Sequence, residues 1–258
     1  MTKLKGYLST SIARKKSVVR VKRLSIDEIS MRKGQQDFVT VVSDVDRSVL
    51  LEVIDSHRQT DITEALMQQP VEFREAVREV SVDMWGGFPK VIAQVYPNAR
   101  LVFDRFHVMR LVIQELNKIR WTIGIKDHHS KYLLLRNRID LNFEQKQELD
   151  RVLKKSECLK IAYQFKEEFR NIYERSRTVK TGRRELEKWM KTARLFYSSS
   201  VQTIRKHFDG ICNYFRYRTT NGGMEGINNR IKLIKRQGYG FSNFDNFRMR
   251  LLACLGIR

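Results

Sequence analysis

Hydrophobic residues between positions 21 and 104 form short runs separated by polar turns and by helical stretches. Because β-branched and aromatic residues concentrate in five of these runs, strands are predicted over 21–29, 38–44, 49–55, 78–83 and 100–104. Helical spacing predicts helices over 61–77, with a break at Pro70, and over 88–95. Tight turns between the first three strands favour an antiparallel meander. The order predicts an α/β fold with a mixed sheet, made of a three-strand meander plus two further strands.

Beyond residue 106 the pattern changes to amphipathic helices. Apolar residues recur at helical spacing in five segments, and helices are predicted over 108–121, 143–155, 159–175, 184–197 and 201–215. Asn142 is followed three residues later by Gln145, which is typical of a helix N-cap with its returning partner. Residues 126–130 and 175–182 are predicted as polar connections. These segments predict a large all-helical insertion over about 111–218.

The last part of the chain predicts two further helices, one over 224–236 and one that starts at Ser242 and ends near Leu255. On the first of these helices, helical spacing places a polar set and an apolar set of residues on different faces. The polar set is Glu225, Asn229, Lys232 and Arg236, and the apolar set is Ile227, Ile231 and Ile234. The isoleucines are expected to face the core, and the polar residues to face a functional site.

Charge is distributed unevenly along the chain. The 258 residues carry a formal net charge of +21, which is typical of a protein that acts on a polyanion such as nucleic acid. Residues 1–26 have a net charge of +8, residues 27–104 of −6, and residues 105–258 of +19. No apolar run is long enough for a membrane span or a signal peptide, and a cytoplasmic protein is expected. Three isolated cysteines predict neither a disulfide-rich protein nor a cysteine zinc site.

The acidic middle segment holds carboxylates at positions suited to metal binding. Asp27 lies in the first predicted strand, Asp83 closes the fourth, and Glu225 lies in the first turn of a helix. Three such carboxylates on separate elements can hold two Mg²⁺ ions about 3.5–4 Å apart. With 29 acidic residues, spacing alone does not select this triple, and an ordinary solvated acidic face is the alternative.

Three segments of the chain resemble bacterial insertion-sequence transposases of the ISL-three family, which are DDE transposases. The segments are SIDEISMRKG at 25–34, SVDMWGGFPKVIAQVYPNARLVFDRFHV at 81–108 and GGMEGINNRIKLIKRQGYGFSNFDNFRMRLL at 222–252. The resemblance implies a ribonuclease H-like catalytic domain over 24–258 that follows a basic N-terminal arm at 1–23. It also implies that Asp27, Asp83 and Glu225 are the catalytic, metal-binding triad. Asp44 is an alternative first carboxylate; Asp27 is preferred because it leaves two more strands before the first helix.

The resemblance implies an activity and its partners. The expected cofactors are two Mg²⁺ or Mn²⁺ ions, and the expected partner is double-stranded DNA, at both transposon ends and target. The expected reaction is cleavage of transposon ends and strand transfer, by a homo-oligomer assembled on DNA. A ribonuclease H-like nuclease without strand transfer, or a catalytically inactive DNA-binding remnant, are the alternatives. Family members usually carry an N-terminal zinc-binding and helix-turn-helix portion that this sequence does not show, so a catalytic remnant, a truncated reading frame or one piece of a longer product is expected.

Further residues around these motifs are candidates for the site. Asp104 and His107 follow the fifth predicted strand, where Asp104 could add charge near the metals and His107 could orient a carboxylate. A helix cap and a buried hydrogen-bonding histidine are the structural alternatives. The active-site candidates are Asp104, His107 and Asn229, and the candidate DNA phosphate contacts are Arg105, Lys232, Lys235 and Arg236.

Overall fold

A computed structural model describes residues 21–30, 38–84, 86–219, 222–238, 241 and 243–256. The chain divides into two compact units, one formed by Met1–Asp104 with Thr219–Arg258 and the other by Arg105–Arg218. The first 20 residues of the predicted basic arm, and the predicted cap residue Ser242, lie outside the described residues. None of the helices in the described ranges is both long and apolar enough to cross a membrane.

The first unit contains a five-stranded mixed sheet. Its strands are β1 (Arg23–Ser30), β2 (Phe38–Asp44), β3 (Val49–Ile54), β4 (Glu79–Val82) and β5 (Arg100–Phe103). The strand order is β3-β2-β1-β4-β5. β2 pairs antiparallel with both β1 and β3, while β4 pairs parallel with both β1 and β5. The predicted meander with two further strands is confirmed.

The helices of the described residues follow in chain order. They are α1 (Gln59–Met67), α2 (Val71–Ala76), α3 (Phe88–Val95), α4 (Arg105–Thr122), α5 (His128–Leu135), α6 (Phe143–Lys154), α7 (Glu157–Arg175), α8 (Val179–Ala193), α9 (Ser198–Lys206), α10 (Phe208–Tyr217), α11 (Gly222–Gln237) and α12 (Phe244–Leu255). Helices α4 to α10 belong to the second unit, which also contains a short 3₁₀ turn at Arg138–Asp140. Pro70 separates α1 from α2, as its missing N–H predicts.

The core on one face of the sheet joins the antiparallel strands to the last two helices. Its strand side chains include Ile29, Val39 and Val41, and its helix side chains include Ile227, Ile231, Ile234, Phe247 and Leu251. All of them are less than one tenth exposed. The apolar face predicted for α11 is therefore confirmed, and its burial holds this helix against β1 and β2.

Three expectations for the second unit are wrong. Residues 201–215 are not one helix, because His207 leaves helical geometry at φ −110° and ψ 20° between α9 and α10. The predicted polar connection at 126–130 contains the start of α5, where the Asp127 side chain accepts a hydrogen bond from the Ser130 backbone. Helix α8 starts earlier than residue 184, because Thr178 and Thr181 form a capping box.

Candidate active site

Three aspartates follow one another across the parallel part of the sheet. Ile26 of β1 pairs with Val82 of β4, and Val82 pairs with Phe103 of β5. The next residues along the three strands are Asp27, Asp83 and Asp104, and the Asp104 backbone N–H donates to the Val82 carbonyl at 2.8 Å. Asp27 lies within β1, which continues to Ser30, and it is level with the carboxyl ends of β4 and β5, where α/β folds place functional groups. Strand register thus brings these three predicted residues to one edge.

Asp27 is half-buried and faces α11. It is paired with Val41 and lies two residues before Ile29, so all three share the sheet face that packs on α11. Asp27 Oδ1 accepts a hydrogen bond from the Glu28 backbone N–H at 2.9 Å. Asp27 Oδ2 accepts one from Asn228 Nδ2, on α11, at 2.8 Å. Both carboxylate oxygens are therefore held in place, each by one donor.

Glu28 adds a carboxyl group next to Asp27 on β1, on the opposite face of the sheet. Burial, followed by the negative charges of Asp83 and Asp27, raises the pKa of Glu28 to about 7. Its Oε1 atom is buried and has no hydrogen-bond partner among the described residues. The electrostatic effect of Asp83 on Glu28 indicates that negative charge is concentrated around the middle of β1 and the end of β4. The sequence reasoning did not single out Glu28, although it adjoins Asp27.

Glu225 lies in the first turn of α11 and is exposed. Asn228 follows it by three residues, and side chains at this spacing are neighbours on a helix surface. The structure therefore places Glu225 on the helix that is hydrogen-bonded to Asp27. It does not gather the full triad, because the described residues contain no group of three or more His, Cys, Asp or Glu side chains that could hold a metal ion.

Asp44, the alternative first carboxylate, has a different environment. It is fully buried at the end of β2 and pairs with Leu24, three residues before Asp27 on β1. Its Oδ1 accepts from the backbone of Asp46 at 2.8 Å, and its Oδ2 accepts from the Arg47 guanidinium at 2.7 Å. These contacts give Asp44 the role of a turn-stabilising residue between β2 and β3.

The other predicted site residues divide between the two units. Asp104 is buried, and His107 is half-buried with its ring edge-on to that of Phe106. The Arg105 guanidinium donates to Glu174 at 2.5 Å and lies 5.3 Å from the centre of the Tyr173 ring. Arg105 is thus already engaged within the helical unit. Among the predicted residues of α11, Lys235 is half-buried. The exposed ones are Asn229, Lys232 and Arg236.

The chain that contains these residues matches a known protein family. A family model described as Transposase, of the DDE ISL-three type, matches residues 24–251. The chain belongs to this transposase family. The match spans β1, β4 and α11, and so includes every carboxylate described above.

Two curated proteins are similar to the chain. The transposase for insertion sequence element IS1001 of Bordetella parapertussis is 26% identical over 91% of this chain and 61% of its own length. A Lactococcus lactis protein named ATP-dependent protease is 32% identical over 40% of this chain and 33% of its own length. The chain therefore spans about three fifths of the transposase relative and one third of the other.

Oxygen atoms at the candidate site of this transposase-family chain fit a hard divalent cation. Asn228 Oδ1, beside Asp27, is buried and has no hydrogen-bond partner in the part of the chain that the structure describes. Glu28 Oε1 is likewise buried and unpartnered there, but Glu28 adjoins Asp27 on β1 and so lies on the opposite face of the sheet. Buried polar atoms of native proteins are satisfied by hydrogen bonds, ordered water or an ion. Carboxylate and amide oxygens are the donors that Mg²⁺ and Mn²⁺ prefer. The Asp27 carboxylate, held by Asn228, is therefore a ligand of the type that the cation expected from the sequence prefers.

Proposed function

We propose that this chain is the catalytic portion of a DDE transposase, which cleaves DNA at transposon ends and joins the freed 3′ ends to target DNA. The observation that carries the proposal is the placement of Asp27 on β1 and of Asp83 directly after the adjacent parallel strand β4, within a chain of this family. The sheet order β3-β2-β1-β4-β5, with its antiparallel meander, supports a ribonuclease H-like catalytic fold. In this proposal the helical unit is an insertion between Asp83 and Glu225.

Asp27, Asp83 and Glu225 would hold two Mg²⁺ or Mn²⁺ ions. When bound, the ions supply activation of the attacking hydroxyl and stabilisation of the leaving oxygen of the phosphodiester. Asp27 is the preferred first carboxylate because Asp44 is committed to the β2–β3 turn. Asp104, buried at the end of β5, would add negative charge behind Asp83, while His107 and Asn229 remain predicted neighbours of the site.

DNA would bind to basic surfaces in both units. On α11, Lys232 and Arg236 are exposed on the side away from the buried isoleucines, with half-buried Lys235 beside them. Helix α8 carries exposed Lys180, Arg184, Lys188 and Lys191 at helical spacing. Residues 105–218 contain 27 Lys and Arg against 13 Asp and Glu, so the helical unit has a strong excess of positive charge. Such cations contact phosphates without reading sequence. Assembly on DNA would form a homo-oligomer that joins two transposon ends.

Cleavage of supercoiled plasmid tests the proposal. The purified chain, a Glu225→Gln variant and a Glu72→Gln control are incubated with plasmid and Mg²⁺ or Mn²⁺. Glu72 is an exposed glutamate in the first turn of α2, so the control makes the same chemical change at a comparable helix position. The proposal predicts metal-dependent nicking and joined products with the wild type and the control, and neither with Glu225→Gln.

Other results would favour a rival function or change the proposed set of metal ligands. Nicking without joined products favours a ribonuclease H-like nuclease. DNA binding without metal-dependent nicking favours an inactive remnant of a transposase. Equal nicking by the wild type and Glu225→Gln would exclude Glu225 from the metal-binding set.

A further inference from the structure

We infer that Asn228 is the positioning residue that holds Asp27 for metal binding. This inference rests on the proposed function and adds a residue outside the triad. Asn228 Nδ2 donates to Asp27 Oδ2 at 2.8 Å, across 201 positions of sequence. The sequence motif had instead pointed to Asn229, which is exposed.

The hydrogen bonds of Asp27 leave it ready to bind a cation. Among the described residues, one donor occupies each oxygen, since Glu28 N–H binds Oδ1 and Asn228 binds Oδ2. An ionised carboxylate has about four acceptor positions, so each oxygen keeps one lone pair for a metal. Hydrogen-bond partners of metal ligands fix ligand orientation, and their loss typically lowers metal affinity about 10–100-fold. Asn228 is such a hydrogen-bond partner of the proposed metal ligand Asp27.

The packing of α11 fixes where Asn228 points. Ile227 and Ile231 are buried in the core against β1 and β2, which sets the rotation of the helix about its axis. That rotation turns the neighbouring Asn228 towards β1. Among the described residues, Asn228 Oδ1 has no hydrogen-bond partner, so the bond to Asp27 is what orients the amide. Asn228 therefore also ties the strand of Asp27 to the helix that carries Glu225.

Manganese binding measures this role without relying on catalysis. Free Mn²⁺ is quantified by electron paramagnetic resonance during titration of the full chain, as wild type and as Asn228→Ala, Asn228→Leu, Asn229→Ala and Asp27→Asn. The leucine variant keeps the approximate volume of asparagine while removing its donor. Asn229→Ala makes the same truncation at the adjacent exposed position. The thermal midpoint without metal is recorded for each variant, and a shift below about 4 °C indicates an intact fold.

The expected result is a dissociation constant for Mn²⁺ raised about 10–100-fold in both Asn228 variants and unchanged in Asn229→Ala. Asp27→Asn should weaken binding at least as much. Wild-type affinity in either Asn228 variant, with weakened binding in Asp27→Asn, would overturn this inference alone. Equal binding by the wild type and Asp27→Asn would overturn the proposed metal site, and the inference with it.

Discussion

The backbone of Gly223 lies so close to Ser48 that a Cβ added at Gly223 would be 2.6 Å from Ser48 Oγ. Gly223 is in the first turn of α11, two residues before Glu225. Ser48 lies in the turn between β2 and β3 and has a left-handed φ of 52°. The β2–β3 turn therefore sets how closely the start of α11 can approach the sheet.

Gly223→Ala should displace the first turn of α11 and weaken metal-dependent nicking. The new methyl group would lie 2.6 Å from Ser48 Oγ, which can rotate away, and 3.3 Å from Ser48 Cβ, which moves only with the backbone. Overpacking of this kind costs about 1 kcal/mol of unfolding free energy, the low end of the usual range. Urea denaturation measures the stability loss, and plasmid nicking measures the effect on activity.

A second substitution tests whether that contact is the cause. Ser48→Gly removes both side-chain atoms nearest to the added methyl and suits the left-handed backbone. The double variant Gly223→Ala with Ser48→Gly should recover most of the lost stability and nicking. If the two single effects simply add, the contact is not the reason that position 223 is glycine.

Buried Glu79 should make the stability of the first unit depend on pH. Burial raises its pKa above the ordinary value of 4.5, although its hydrogen bond from Thr219 and the nearby Arg23 oppose the shift. Because the folded state holds this proton more tightly than the unfolded state, the resulting stability is fully present below about pH 4.5. It is lost as pH rises through the raised folded pKa.

Glu79→Gln removes this proton-linked contribution while keeping an oxygen that can accept from Thr219. From pH 4.5 upwards, the unfolding free energy of the variant should therefore rise relative to that of the wild type. Urea denaturation at several pH values measures it. A difference independent of pH would show that the Glu79 carboxyl has the same pKa in the folded and unfolded chain.

The sequence predicted the elements whose signals are local. Strand β2 runs from Phe38 to Asp44 as predicted, because its β-branched residues are buried and favour a strand. The start of α6 was predicted from Asn142 and Gln145, whose side chains form both hydrogen bonds of a capping box. The break at His207 was missed because buried apolar residues keep helical spacing on both sides of it, so periodicity does not reveal the change in backbone angles.

The sequence predicted less of the candidate site, because the site depends on contacts distant in sequence. Asn228 and Asn229 lie three and four residues after Glu225, and both spacings place a side chain next to it. Only the packing of Ile227 and Ile231 shows that Asn228 points to Asp27. Likewise, the turn contacts of Asp44 require the fold around it, and its sequence neighbours do not reveal them.

Asn142→Ala should destabilise the helical unit by about 1 kcal/mol. The substitution removes the side chain that accepts from the Gln145 backbone at 2.8 Å and frees the first turn of α6. Asn142→Ser should retain most of the stability, because serine also caps helices. Thermal unfolding compares the three chains, and equal midpoints for alanine and asparagine would exclude a stabilising role for the cap.

Replacing Lys232 and Arg236 with alanine should reduce the salt dependence of DNA binding. Each phosphate contact contributes about 0.9 to the slope of log affinity against log salt, so the double variant should have a slope shallower by about 2. Lys160→Ala removes one exposed cation outside α11 and serves as the control, because Lys160 in α7 already pairs with Glu157 at 3.3 Å. Fluorescence anisotropy with a labelled duplex at four salt concentrations gives the slopes. A double variant that keeps the wild-type slope would remove α11 from the DNA-contacting surface, leaving the cations of α8 as the next set to substitute.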